Sequence, residues 1–401
     1  MRQKLLEVAE VFRLVASETP LLILSSEKAK VFSAITRCRT KELGGHLNCC
    51  DKCGYEEQSY NSCLNRHCPK CRGGKVFDWV SAREEELLPV PYFHVVFTLP
   101  EELRGLCFQN KRLIYELFFK SSAEALQAVA ERFLGAKLGF FGVLHTWNQE
   151  LQYHPHIHYV IPAGGLSPDN TKWVSTESSR FFLPVRALSK VFRGKFIEAL
   201  KDNFPKLRFF NSLSHLGDVR EFNKLLWKSV KHDWVVYAKK PFAGPAGVLR
   251  YLASYTHRVA ISNRRLRSLS SDKVTFITRD RKNKRKKKLK TLHPQEFMRR
   301  FFLHIIPKGF KRIRYFGFLY NQRRKENLML CRKLIGAPLP QTNTDKPHPR
   351  QCPKCSLGRL ITTLVIKPHR LPPFTLNLRS HHALAPPLEF RYPHNSSLLA
   401  A

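Results

Sequence analysis

Seven cysteines fall between Cys38 and Cys71, and four of them form two short-spaced pairs, Cys50-x-x-Cys53 and Cys68-x-x-Cys71, fourteen residues apart. Each pair sets two sulfurs on one tight turn, and two such turns complete the tetrahedral thiolate shell that zinc prefers. Gly54 behind the first pair and Pro69 inside the second suit turns of this kind. The expected ligands of one structural zinc are therefore Cys50, Cys53, Cys68 and Cys71. Cys38, His46, Cys63 and His67 stand near enough in sequence to hold a second ion, or to pack around the first. Cys49 beside Cys50 leaves the register of the first pair open. A further pair, Cys352 and Cys355, has no second pair near it in sequence. It reads equally as a plain surface turn or as ligands whose partners the fold must bring. A closed four-thiolate shell keeps no open position for a reactant, so this zinc is expected to serve folding or recognition.

Metal binding is preferred to disulfides because the chain is expected to be cytoplasmic, where thiols stay reduced. Glu7 and Glu10 interrupt the only early apolar stretch, which removes the signal-peptide pattern. There is also no apolar span of the roughly 18 residues that a membrane helix requires. No membrane partner is expected.

Charge narrows the partner. Lys and Arg number 69 against 31 Asp and Glu, a formal net charge of +38. The excess recurs along the chain, at 66–75, at Lys190, Arg193 and Lys195, at 264–290 and at 308–325. Such a field attracts polyanions and makes phosphate binding strongly salt-dependent. Nucleic acid is the expected partner, although charge alone would suit a non-catalytic binding protein as well as an enzyme.

With 43% hydrophobic residues, 401 residues can bury a core in each of two or three domains. Residues 1–37 read as helical and 38–78 as a small metal-stapled module. From Pro91 the texture changes. Strands are expected at Phe93–Thr98, Phe140–Gln149, Ile157–Ile161, Trp234–Tyr237, Val259–Ser262 and Val274–Thr278, from β-branched and aromatic runs. Helices are expected over Lys111–Leu134, stopping at Gly135, over Leu188–Leu200 and over Gly247–His257. Mixed elements without regular βαβ alternation suggest an α+β domain on an antiparallel sheet. The run Arg281–Lys290 holds eight basic residues in ten and suits the turn of a hairpin that meets phosphates. The expected division is 1–90, 91–330 and a loose Pro-rich tail over 331–401.

Two constellations carry chemistry. In a strand, His156 and His158 project to one face while Ile157 points to the core. Two imidazoles on one rigid strand supply most of a divalent-metal site that keeps positions open for substrate. His145, Trp147 and Gln149 share a face of the preceding strand, so Gln149 or His145 can supply a third ligand, and Gln149 is the expected one. Tyr251 and Tyr255 lie one turn apart on a helix. A phenolate can attack phosphorus where a metal polarises the phosphate, but this spacing is equally that of packing residues.

Taken together, Gly44-Gly45-His46, Cys50 and Cys53, 60–63, 65–71, 144–147, His154–His158 and the run from Tyr251 to Arg265 resemble the IS91 class of insertion-sequence transposases, of the HUH superfamily. The resemblance spans roughly residues 10–330. It implies an HUH-type antiparallel sheet flanked by helices and preceded by a zinc-binding module. It also implies rolling-circle transposition, in which the single-stranded ends of the element are cut through a 5′-phosphotyrosine and joined to a target. Carried over, His156 and His158 bind Mg or Mn, and Tyr251 and Tyr255 are the nucleophiles. His257 and Arg258 stand where phosphate contacts or plain capping roles both suit. A replication initiator or relaxase shares this chemistry, and a zinc-dependent binding protein without catalysis is the rival from another class.

Overall fold

A computed structural model describes residues 5–19, 24–71, 83–84, 86–176, 183–239, 247, 260–279, 286–338 and 350–369. The N-terminal helical region is two helices, α1 (Val8–Glu18) and α2 (Ser26–Arg37). The sequence between them carries Pro20, which has no N–H to continue a helix. Next comes an antiparallel hairpin, β1 (Gly45–Cys50) and β2 (Glu56–Tyr60).

The central sheet has five strands, all antiparallel to their neighbours. β3 (Tyr92–Thr98), β4 (Gly139–Trp147) and β5 (Tyr153–Pro162) form its middle, with β8 (Val236–Lys239) and β12 (Ile313–Gly317) at the edges, in the order β12-β4-β5-β3-β8. The short α3 (Arg104–Gln109) and the long α4 (Lys111–Leu134) follow β3. α4 ends where the spacing expects, because Gly135 takes a left-handed conformation (φ 64°). A small hairpin, β6 (Gly164–Leu166) and β7 (Trp173–Ser175), precedes α5 (Val185–Asp202) and α6 (Val219–Val230). Asp218 caps α6 by accepting from the backbone N–H groups of Arg220 and Glu221.

Strand alternation divides the sheet into two unlike faces. Phe93, Val95, Phe97, Leu144, Ile157, Tyr159 and Ile161 point to the main core, against Phe118 of α4 and Phe192 and Phe196 of α5. Tyr159 reaches through this layer to hydrogen-bond Ser122 of α4 at 2.7 Å. Its ring lies over Gly142 of β4, where an added Cβ would stand 2.5 Å from a ring carbon. On the opposite face Tyr92, Phe141, Val143 and Val160 form a small apolar cluster at one end. The histidines occupy the other end.

A second, three-stranded sheet consists of β9 (Leu266–Leu269), β10 (Val274–Arg279) and β11 (Lys287–Leu292). β10 and β11 pair from Val274↔Leu292 to Arg279↔Lys287, the hairpin expected around the basic run. The strand expected at Val259–Ser262 does not form over its described part. Ala260 takes φ 57°, a left-handed conformation that an extended chain cannot contain. Beyond β11, α7 (Pro294–Leu303) packs its Phe301 and Phe302 against Phe12 of α1.

The C-terminal region departs most from expectation. After α8 (Arg324–Ile335), which closes on Gly336, residues 350–369 return to the N-terminal module. There β13 (Leu360–Ile366) pairs antiparallel with β1, giving the sheet β13-β1-β2. This part of the chain is therefore a strand with a fixed register, where a loose tail was expected. Among the described residues no helix is long and apolar enough to cross a membrane.

Candidate metal centres

Antiparallel pairing sets His145 of β4 directly opposite His156 of β5, with His158 two residues further along the same face. The three can each offer one ring nitrogen, and these atoms lie within 4.8 Å of one another. His145 and His158 are buried and His156 is half-buried. His156 Nδ1 lies 2.7 Å from the carbonyl oxygen of His154. A carbonyl only accepts, so Nδ1 carries the proton and Nε2 keeps the lone pair that a metal would use. His94 of β3 stacks on His158 with ring planes 4° apart, and its Nε2 is 2.7 Å from His158 Nδ1. Burial pushes His158 well below the usual imidazole range. Burial, and secondarily the charge of His156, lowers His94 to about 4. Both are neutral at pH 7, the form in which an imidazole binds a cation. Three converging imidazoles fit a divalent transition metal.

Gln149 lies beyond the end of the strand that carries His145. β4 ends at Trp147, and its register with β5 breaks between His145 and Trp147. Gln149 lies in the turn that follows, which Asn148 holds by accepting from the N–H groups of Glu150 and Gln152. The side-chain alternation that would have placed Gln149 beside the pair has stopped by then, and His145 stands there. Pro155, expected in the connection, lies within β5. His154 accepts from Arg104 through Nδ1 at 3.1 Å and stays outside the group of three. The β4–β5 turn is held from below by buried His304, whose Nε2–H donates to the Leu151 carbonyl and whose Nδ1 faces the Thr146 hydroxyl. Basic side chains reach the same turn. Arg265 donates to the Gln149 carbonyl, Arg300 to the Glu150 carbonyl, and Lys290 pairs with the Glu150 carboxylate at 3.1 Å. Tyr251, Tyr255, His257 and Arg258 lie outside the described residues.

The cysteines sort into two groups of four, neither of them the expected one. Cys38, Cys63, Cys68 and Cys71 converge, as do Cys50, Cys53, Cys352 and Cys355. The hairpin is what divides the expected set. Gly45 and Tyr60 pair at its base, beside Cys38 and Cys63, while Cys50 and Cys53 sit at its tip. Five strand steps separate base from tip by about 17 Å, too far for a shared ion. In the first group Cys71 Sγ lies 3.2 Å from Cys38 Sγ and 3.3 Å from Cys63 Sγ. Hydrogen bonds from the Cys63 and Cys68 side chains hold the Cys38 sulfur well below the usual thiol range, as suits a thiolate ligand. Cys49 and His46, on β1, belong to neither group.

His67 is not a ligand either. Its Nδ1 faces Asn65 Oδ1 at 3.1 Å and its Nε2 accepts from the backbone N–H of Ile306 at 3.1 Å. The neighbouring Arg66 donates to the Phe310 carbonyl at 2.8 Å. Together they tie the cysteine-rich module to the segment that leads into β12.

Residues 13–99 match a family model described as a transposase zinc-binding domain, and residues 139–327 match one described as a putative transposase. The first match contains the whole group Cys38, Cys63, Cys68 and Cys71, which supports structural zinc there. The second contains the three histidines and the basic sheet. Cys352 and Cys355 lie outside both. The chain is 45% identical over 376 residues to a putative transposase, y4qJ, of Sinorhizobium fredii, covering 89% of this chain and 94% of that one. It is 27% identical over 292 residues to the transposase for insertion sequence element IS801 of Pseudomonas savastanoi pv. phaseolicola, covering 71% of this chain and 68% of that one. No solved structure matches the chain.

Proposed function

This chain belongs to the IS91-type insertion-sequence transposases, and we propose that it cuts and rejoins single-stranded DNA at the ends of its element through a 5′-phosphotyrosine, in rolling-circle transposition. Membership of the family carries DNA cleavage and transfer, and the HUH-type chemistry goes beyond it. The observation that supports it most is the convergence of His145, His156 and His158 on one sheet face beside a strongly basic sheet.

In this reading the phenolate oxygen of Tyr251 or Tyr255 attacks the scissile phosphorus. A P–O bond to tyrosine forms, the P–O3′ bond breaks, and the departing 3′ oxygen takes up a proton. Attack by a 3′-hydroxyl of the joined strand reverses these bond changes, so no external energy source is needed. Two tyrosines permit two transfers without release of the DNA. A divalent ion on the three histidines would polarise the scissile phosphate. The histidine rings are held for that role by the His154 carbonyl and by His94. An all-imidazole set suits Mn better than Mg, which prefers oxygen ligands.

The test is incubation with labelled single-stranded DNA carrying an element end, followed by denaturing electrophoresis. Metal-dependent nicking with a covalent protein–DNA adduct is expected, stronger in Mn than in Mg, and absent in the Tyr251→Phe, Tyr255→Phe double variant. Full nicking by that variant would sink the tyrosine assignment. Cleavage of duplex without any adduct would sink the phosphotyrosine route.

A further inference from the structure

We infer that the chain binds a second zinc ion, in a site split between its two ends: Cys50 and Cys53 at the tip of the β1–β2 hairpin, and Cys352 and Cys355 just before β13. The inference does not depend on the cleavage mechanism above. A tetrahedral shell with Zn–S bonds of about 2.3 Å has S···S edges of about 3.8 Å. Across the two pairs, Cys50 Sγ lies 3.7 Å from Cys355 Sγ, and Cys53 Sγ lies 3.7 Å from Cys352 Sγ. A disulfide would need about 2.05 Å. The distances are those of ligands around an ion.

Both knuckles also aim backbone N–H groups at their sulfurs. The N–H groups of Lys52 and Cys53 point at Cys50 Sγ at 3.4 and 3.5 Å. Those of Lys354 and Gly358 point at Cys352 Sγ and Cys355 Sγ at 3.4 and 3.3 Å. Donors aimed at sulfur stabilise thiolate, the state a metal requires. Close approach is built in as well. A Cβ at Gly358 would stand 2.4 Å from Cys50 Sγ, so only glycine lets the C-terminal turn reach the hairpin tip. Asp51 completes the junction by accepting from the N–H of Arg359 at 2.8 Å.

What β13 lacks makes the ion's role plain. Five of its seven residues are exposed, including Ile361, Leu364 and Val365 at 54%, 56% and 63%. Such a strand buries too little apolar surface to stay on β1 by packing, and an isolated strand pairing is marginal in water. The ion therefore acts as a clasp that makes β13 a metal-dependent third strand of the N-terminal module.

Elemental analysis is run on a parent full chain whose histidine group is removed (His145→Ala, His156→Ala), so that only thiolate sites count, and is expected to give two zinc ions per chain. The Cys352→Ser, Cys355→Ser double variant should retain one, and hydrogen exchange should show its β13 amides losing protection while β1–β2 and the central sheet keep theirs. One zinc in the parent chain, or two in the variant, overturns the inference. So does a thiol titration in non-reducing denaturant that shows Cys352 or Cys355 oxidised. Should the variant fail to fold, cobalt titration of the metal-free parent chain decides the matter. Tetrathiolate absorption should grow through two equivalents, and a plateau at one overturns the inference.

Discussion

At the scale of single residues, the histidines separate by what their second nitrogen touches. His67 and His304 each spend both ring nitrogens on the protein, joining one segment to another. His156 gives Nδ1 to a carbonyl and turns its remaining nitrogen toward His145 and His158. Loss of a converging ligand should therefore matter far more than loss of its sequence neighbour. His145→Ala is expected to lower Mn-dependent cleavage by about 100-fold or more, whereas Gln149→Ala stays within a few-fold. Equal losses in the two variants, measured as initial rates on one labelled strand, would remove His145 from the site. Burial also makes stability depend on pH. It lowers His94 to about 4 and His304 to about 3, while in the unfolded chain a histidine takes up its proton near 6.5. Below pH 6.5 the unfolded state binds more protons, so this stability is complete above 6.5 and lost as pH falls toward 4 and then 3. With metal chelated, the urea midpoint should fall steadily between pH 7 and 5, above the range where carboxylates titrate. A midpoint that stays level across that window would contradict the burial of these rings.

At the scale of elements, two pieces of antiparallel geometry do most of the sorting. The pairing of β4 with β5 turns histidines eleven residues apart in sequence into direct neighbours, because His145 faces His156. The β1–β2 hairpin does the reverse with the cysteines, carrying Cys50 and Cys53 away from Cys68 and Cys71. The knuckle that remains at the base is joined to the segment leading into β12 through His67 and Arg66. His67→Ala leaves the buried N–H of Ile306 without its acceptor, and is expected to cost about 1–3 kcal/mol in urea unfolding. Its zinc content should not change. Loss of zinc in this variant would instead make His67 a ligand.

At the scale of the whole molecule, the charge of +38 is uneven: residues 1–180 sum to +2 and residues 181–401 to +36, with eight basic residues in 281–290 alone. Binding should therefore engage many phosphates and weaken steeply with salt. Fluorescence anisotropy on single-stranded DNA is expected to show an affinity loss of about 1,000-fold or more between 50 and 200 mM salt. A loss of only a few-fold would mean that few phosphates are held. The amino-acid order by itself determined the α+β class, the helix ending at Gly135 and the His-Ile-His strand with Ile157 turned inward. Each of these follows from local periodicity and turn chemistry, which act over a few residues. It also carried a resemblance to the IS91 class, because that pattern lies in linear runs such as 65–71 and 154–158. Only the tertiary structure brought His145 to the His156–His158 pair and left Gln149 in the turn beyond, since that depends on where β4 stops. Only the tertiary structure, likewise, joined Cys352 and Cys355 to Cys50 and Cys53 across about 300 residues. A metal shell selects its ligands by distance in space, and sequence spacing reports that distance only within a single turn.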